Sequence, residues 1–252
     1  ITGHPGGGPV RVGIAINDVA AGVLLANAIV LALLERERSG EGQWVHTSLI
    51  EAQIFFLDFQ ASRYLIKGEV AGQAGNNHPT SSGTGMYQTA DGYINIAASG
   101  DSLWEHFCKA ADAADLLTDP DFKNVKLRVQ NRDKLQARLT EIMKQHTNDW
   151  WVDAMNKAGV PCGPINTIDK VFADPQVQHL EMGTPFTTPL YGPTRMVASP
   201  INFDGLQRDI RLPTPEPGEH TDEILGWLGY SADEMQALRA AGVTHPIGKT
   251  AT

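Results

Sequence analysis

Between Asp18 and Glu35 the chain runs sixteen residues, 19–34, without a charge, and apolar side chains fall on every face of a 3.6-residue period. A helix that is apolar all round has to be covered all round, which predicts a place at the centre of a domain or in a subunit interface. Sixteen residues fall short of the roughly 20 that a bilayer span needs, and Gly22 and Asn27 interrupt them. A buried core helix is therefore expected, and no membrane partner. Asn17 or Asp18 stands where an N-cap belongs, Arg36 and Arg38 suit the C-terminal dipole, and Gly40 and Gly42 permit the stop.

The pattern then changes period. QWVHTSL, residues 43–49, reads as a short strand, and residues 50–66 as a second apolar helix closed by Gly68. With the first helix they form one α/β segment, 1–72. The stretch GEVAGQAGNNHPTSSGTG has little to bury, so it predicts a loop and a domain boundary. Two β-prone runs flank Asp91-Gly92, a strong hairpin signal. Ser102 with Glu105 reads as a capping box for a helix to residue 113, and helices are expected over 131–146 and 148–158, the last stopped by Gly159. Strand-like pieces at 184–187, 194–198 and 201–203, with PLYG as a turn, fit an antiparallel sheet. Residues 73–190 thus read as a small α+β module. Residues 191–243 return through a proline-rich segment to two short helices, the second capped by Ser231 and Glu234, and 244–252 read as a tail.

Charge and cysteine content narrow the function. The 252 residues carry a net charge of -9 with no Lys/Arg cluster, which argues against nucleic acid. Two cysteines, Cys108 and Cys162, form neither a disulfide framework nor a zinc spacing, which predicts a reducing, cytoplasmic setting. The chain opens at Ile1 with neither a basic region nor an apolar one behind it, so no signal peptide is read there and further sequence is expected upstream.

Several motifs are set aside. In HPIGKT the spacing from Gly242 to Gly248 exceeds that of a phosphate loop by one residue. The eight histidines form no metal-binding pair, so no metal is expected. Cys162 in AGVPCGPI lacks a neighbouring base and reads as a buried turn cysteine. HPGGGP lacks the strand-before, helix-after setting of a dinucleotide loop. Asp18 keeps two readings: a simple N-cap, or a carboxylate held ionised by helix N–H groups in an apolar setting and so available as a nucleophile.

Six stretches, in order, carry a resemblance. The run NDVAAGVLLANAIVLALLERERSGEGQWV, the loop GNNHP, the hairpin TADGYINIAA, the turn AGVPCGPIN, the DPQV segment, and GEHTDEIL with LRAAGV resemble the class III CoA-transferase family, the formyl-CoA transferase-like group. The resemblance extends to about Val243.

It implies an α/β fold: a Rossmann-like large domain completed by both chain ends, an inserted small α+β domain, and an interlaced, ring-like homodimer. By the same resemblance, Asp18 of the D-x-A-A-G motif is the catalytic nucleophile. It takes an acyl group from an acyl-CoA as a mixed anhydride, passes through an aspartyl-CoA thioester, and delivers CoA to a small carboxylic acid. Coenzyme A enters as substrate, and no cofactor stays bound. The glycine-rich loop that closes over the aspartate matches residues 76–85, with Gly83 and Gly85 as its flexible positions, and Leu49 maps to a CoA-contacting position. The loop lacks the consecutive glycines of the formyl-CoA enzyme and has SGTG where many relatives have Pro-Tyr. The family's Rossmann-like half, which supplies most CoA contacts, would precede Ile1. Two alternatives stand beside transfer: a 2-methylacyl-CoA racemase, whose partner histidine would lie upstream of Ile1, and a non-catalytic fragment that needs a partner chain.

Overall fold

The computed structural model describes residues 1–188, 191–205, 210, 212 and 214–244. The chain divides into two compact units, Ile1–Ile165 and Asn166–Thr252, so the division falls inside the segment 73–190.

The first unit opens with α1 (Ile16–Ser39), 24 residues long and extending past both ends of the uncharged run. Its N-cap position is Ala15, which offers no side-chain bond, so Asp18 sits inside the first turn and neither it nor Asn17 is the cap. Gly40, at φ 76°, closes the other end by donating its N–H to the Arg36 carbonyl. The expected burial is absent: among the helix residues only Ala20 is buried, and Val19, Val23, Val30, Leu31 and Leu34 are each more than half exposed. At its full length the helix is long and apolar enough to cross a membrane, by length and composition.

Residues 41–48 form no strand, because no neighbouring strand supplies a ladder, and Trp44 stands 90% exposed. The apolar stretch after them is two helices, α2 (Leu49–Phe55) and α3 (Phe59–Lys67). Asp58, at φ 51° and ψ -134°, breaks them with a positive φ that side chains other than glycine rarely adopt. Ser48 caps α2 by accepting from the Glu51 N–H, and Gly68 ends α3 as its sequence position predicts. α2 packs against α1.

The core of this unit lies further along the chain. β1 (Thr84–Gln88) and β2 (Tyr93–Ala97) form the Asp91-Gly92 hairpin, and β3 (Cys162–Pro164) adds to β2, giving an antiparallel sheet in the order β1-β2-β3. Cys162 therefore lies on a strand opposite Ile96 and is half-buried, where a turn had been expected. Between β2 and β3 come α4 (Gly100–Ala110), α5 (Asp115–Thr118), α6 (Val125–Gln130), α7 (Arg132–Met143) and α8 (Asn148–Lys157). Ile94 and Ile96 alternate with the exposed Tyr93 and Asn95, and they enter a cluster with Trp104, Phe107, Leu135, Leu139, Met143, Trp151 and Met155. The hairpin turn is tied to the last helix: Asp91 accepts from the Asn148 N–H at 2.8 Å. The Ser102–Glu105 box does not form, since α4 starts at Gly100 and Glu105 pairs with Lys109 at 2.6 Å.

A buried cation ties these helices. Arg128, 1% exposed, donates to the Phe122 carbonyl at 3.0 Å, the Gly100 carbonyl at 3.1 Å and Asp101 Oδ1 at 2.7 Å. Its guanidinium lies 5.1 Å from the centroid of the Trp104 ring. The partners differ in what their loss costs, because Asp101 is exposed whereas the guanidinium is buried.

The second unit contains α9 (Ile168–Ala173) and α10 (Pro175–His179), the latter begun by a proline at its first position and an Asp174 cap. β4 (Gly183–Thr188) and β5 (Gly192–Val197) form a separate two-stranded sheet. Residues 201–203 are not a strand, and Ile201 and Phe203 are largely exposed. α11 (Thr221–Trp227) and α12 (Ala232–Ala240) follow, and the Ser231–Glu234 capping box of α12 is formed. Half of the PLYG turn and HPIGKT, with the tail after Thr244, lie outside the described residues.

Arg128→Met should lower the unfolding free energy by about 3 kcal/mol, as expected for removing charge-assisted bonds to two buried carbonyls. Asp101→Asn should cost less than about 1 kcal/mol, because that carboxylate is mostly in water. Urea unfolding of both variants checks the order.

Candidate active site

Asp18 is the third residue of a helix whose first turn has no side-chain cap. The opening N–H groups of α1 therefore have no intrahelical acceptor, and their partial positive charge favours an anion within that turn. Asp18 is exposed, and among the described residues no side chain hydrogen-bonds to it. The neighbouring Asn17 Oδ1 is buried with no partner among them.

The chain leading into α1 is fastened to the base of the glycine-containing loop. Gln73 Nε2 donates to the Thr2 carbonyl at 2.8 Å and the Gly8 carbonyl at 2.5 Å, and the Gly75 N–H donates to the Gly3 carbonyl at 2.9 Å. His78 stacks on Phe59 of α3, with ring centroids 5.7 Å apart and planes within 9°. The loop base is thereby joined to both sides of the segment that holds Asp18.

Beyond the base, the loop is tightly bonded. His78 Nδ1 accepts from the Ser81 N–H at 3.1 Å and the Thr80 N–H at 3.3 Å. Both donors point at one nitrogen, which fixes that nitrogen as the unprotonated one and leaves the proton on Nε2. Arg132, the first residue of α7, donates to the carbonyls of His78, Pro79 and Ser81 at 3.0, 3.3 and 3.2 Å. Ser82 Oγ donates to the Arg128 carbonyl at 3.0 Å. A small cleft between this loop and α7 is lined by Asn77, Ser81, Ser82, Gly83, Thr84 and Arg132 among others.

Gly83 and Gly85 sit where this bonded loop becomes β1, and close packing accounts for both. Gly83 has φ +83°, and a Cβ there would lie 2.9 Å from the Ala98 carbonyl oxygen, which crowds any side chain. At Gly85 a Cβ would meet Asn77 Oδ1 at 2.8 Å and the Asn76 carbonyl oxygen at 2.9 Å. Crowding at both positions, and the positive φ at Gly83, therefore require glycine there. Leu49 is the first residue of α2, half exposed, on the helix that packs against α1. Asp18 and Leu49 thus lie on adjoining helices, while Gly83 and Gly85 belong to the sheet of the α+β core.

The remaining chemistry-bearing groups are poor nucleophiles or already paired. Burial pushes the Cys108 thiol up to about 12, and burial also raises Cys162. Among the described residues no three His, Cys, Asp or Glu side chains cluster as a metal site. An open groove between α4 and α8 has an alanine floor, and its lysines, Lys109 and Lys157, pair with Glu105 and Asp153. Arg132 went unread in the sequence as part of a site, since it belongs to no spaced motif, and His78 entered only as a member of the GNNHP loop.

Gly83→Ala should destabilise the protein by about 1–3 kcal/mol, from the left-handed backbone and the crowded carbonyl. Urea unfolding measures it. Iodoacetamide at pH 8 should leave Cys108 unlabelled, since its thiolate fraction there is on the order of 10⁻⁴, and labelling should quicken as pH rises toward 12. Peptide mapping of the alkylated protein reads the result.

Comparison with known proteins places this arrangement. The profile of CoA-transferase family III matches residues 1–221. An acyl-CoA transferase of Fusarium pseudograminearum is 33% identical over 245 residues, covering 96% of this chain and 54% of that protein. The succinyl-CoA:glutarate CoA-transferase of Homo sapiens is 31% identical over 244 residues, 96% of this chain and 56% of its own length. The crystal structure of a CaiB/BaiF family protein from Brucella suis superimposes with a TM-score of 0.72 at 33% identity, over 90% of this chain and 59% of that one. The chain spans about half the length of the curated relatives it matches. With the family profile running from the segment before α1 through both sheets into the start of α11, the chain belongs to CoA-transferase family III.

Proposed function

We propose that the protein transfers CoA between an acyl-CoA and a small carboxylic acid, with Asp18 as the nucleophile. The observation that carries the reading is the place of Asp18: a carboxylate in the uncapped first turn of a 24-residue helix, within the segment matched by the family. The family and the names of its relatives support CoA transfer as the reaction class.

An Asp18 oxygen attacks the thioester carbonyl carbon, the C–S bond breaks, and CoA departs as thiolate with the bonding pair. The product is an acyl-aspartyl anhydride. CoA thiolate then attacks the aspartyl carbonyl, releasing the first acid and leaving an aspartyl-CoA thioester. The acceptor carboxylate repeats the exchange in reverse, and CoA leaves on the new acyl group. One thioester replaces another, so the cycle consumes neither water nor a phosphate bond. Asp18 acts as the nucleophile at the positive end of the α1 dipole, and the loop 76–85 covers the anhydride against water. The acceptors named for relatives, glutarate in Homo sapiens and mesaconate in Haloarcula marismortui, favour a dicarboxylic acid here.

The uncovered apolar faces of α1 support an assembly in which more protein packs on that helix. We propose the interlaced, ring-like homodimer, with a Rossmann-like large domain around α1 and most of the CoA site supplied outside this chain's described residues. Gly22 and Asn27 within α1 favour that packing over lipid. The free Cys108 and Cys162 support a cytoplasmic setting.

Asp18→Ala and Asp18→Asn should both reduce transfer to the background rate while changing stability by no more than about 0.3–1 kcal/mol, the worth of a first-turn acid. Acyl-CoA exchange assayed by chromatography, with thermal melts alongside, checks both. Near-normal transfer in either variant would rule out Asp18 as the nucleophile.

A further inference from the structure

Three successive features of the loop at residues 78–82 turn its polar groups inward. Its carbonyls at His78, Pro79 and Ser81 converge on the single guanidinium of Arg132. Its N–H groups at Thr80 and Ser81 converge on the single His78 nitrogen, and that ring is stacked on Phe59. Ser82 then bonds to the main chain of α6. A loop of this composition has little apolar surface to hold it, so its shape depends on these bonds. Arg132 alone satisfies three acceptors, and as a planar fork it does so with one fixed side chain. A lysine at the same place carries its three donors on one nitrogen at the end of a flexible stem and offers no fixed two-nitrogen fork.

We propose that Arg132 is a positioning residue of the transfer reaction. It holds the loop in the shape that keeps water from the acyl-aspartyl anhydride. This rests on the reading of Asp18 as nucleophile and of the loop as its cover. Where the loop is loosened, a water oxygen attacks the acyl carbon of the anhydride. The bond from that carbon to the aspartyl oxygen breaks, Asp18 recovers the electron pair, and a water proton passes to solvent. The products are the free donor acid and CoA thiol, so the net reaction is acyl-CoA plus water giving acid plus CoA. Arg132 touches neither substrate nor nucleophile; it acts through the loop.

The test is a partition measurement on the full native polypeptide. Succinyl-CoA and glutarate serve as probes; new acyl-CoA is quantified by chromatography and lost thioester by total free thiol. Arg132→Gln should raise the ratio of hydrolysis to transfer by at least about tenfold, the scale on which loosened positioning acts, and Arg132→Lys should fall between it and the parent. Amide hydrogen exchange at Thr80 and Ser81 should quicken in parallel. An unchanged ratio in a folded Arg132→Gln protein that still transfers CoA would overturn the proposal. Should that variant not fold, Arg132→Lys decides alone: a raised ratio supports the assignment and an unchanged one overturns it. Failure of the underlying reading is separate, because it would show as absence of transfer in the parent protein itself.

Discussion

The constraint that governs the start of the chain is a helix whose apolar faces the other described residues leave uncovered. α1 presents valine, leucine and isoleucine on all sides, and only Ala20 is buried. Fully burying a side chain of this kind contributes about 1.5–3 kcal/mol, and the five most exposed are more than half open, so covering them amounts to about 5–9 kcal/mol, comparable to the whole stability of a typical domain. No polar compensation within the helix approaches that figure. The segment before residue 73 is therefore governed by what packs onto it, whereas the α+β core that follows closes on its own side chains. Asp18 stands at the start of this helix, so the proposed assembly that covers α1 would also exclude water around its first turn.

Against that uncovered helix stands a loop that is held by design of its polar groups. Two arginines, Arg128 and Arg132, each donate to several main-chain carbonyls, one inside the core and one at its margin. Each is the cheapest way to satisfy several acceptors with one side chain. The two glycines that follow the loop are required by crowding against Ala98 and Asn77, and they mark the point where the loop becomes sheet. In the proposed reaction such a loop serves as a cover already set in shape before substrate arrives, which suits an intermediate that water destroys.

Features governed by near neighbours were legible in the sequence. The Asp91-Gly92 hairpin, the stop at Gly68, the helix from Asn148 and the Ser231–Glu234 box depend on bonds within a few residues, and all are present. Features governed by distant partners were not. QWVHTSL has strand composition but no strand beside it; Ser102 lost its capping role because α4 begins two residues earlier; the apolar stretch after Ser48 breaks at Asp58. Asp18 could be singled out because one acid before an uncharged run is visible in one dimension. Arg132 could not, because its partners lie more than fifty positions away in the chain and are backbone atoms that every sequence carries.

The central claim is that Asp18 carries the acyl group, and one measurement reaches it directly. The full native polypeptide is mixed with succinyl-CoA, then with hydroxylamine, which converts an activated aspartyl anhydride or thioester to a hydroxamate, and its intact mass and peptides are read by mass spectrometry. The account predicts a hydroxamate mass gain that maps to Asp18 and is absent when succinyl-CoA is withheld. An unmodified Asp18 in protein that turns over succinyl-CoA, or a hydroxamate on another residue, would contradict it.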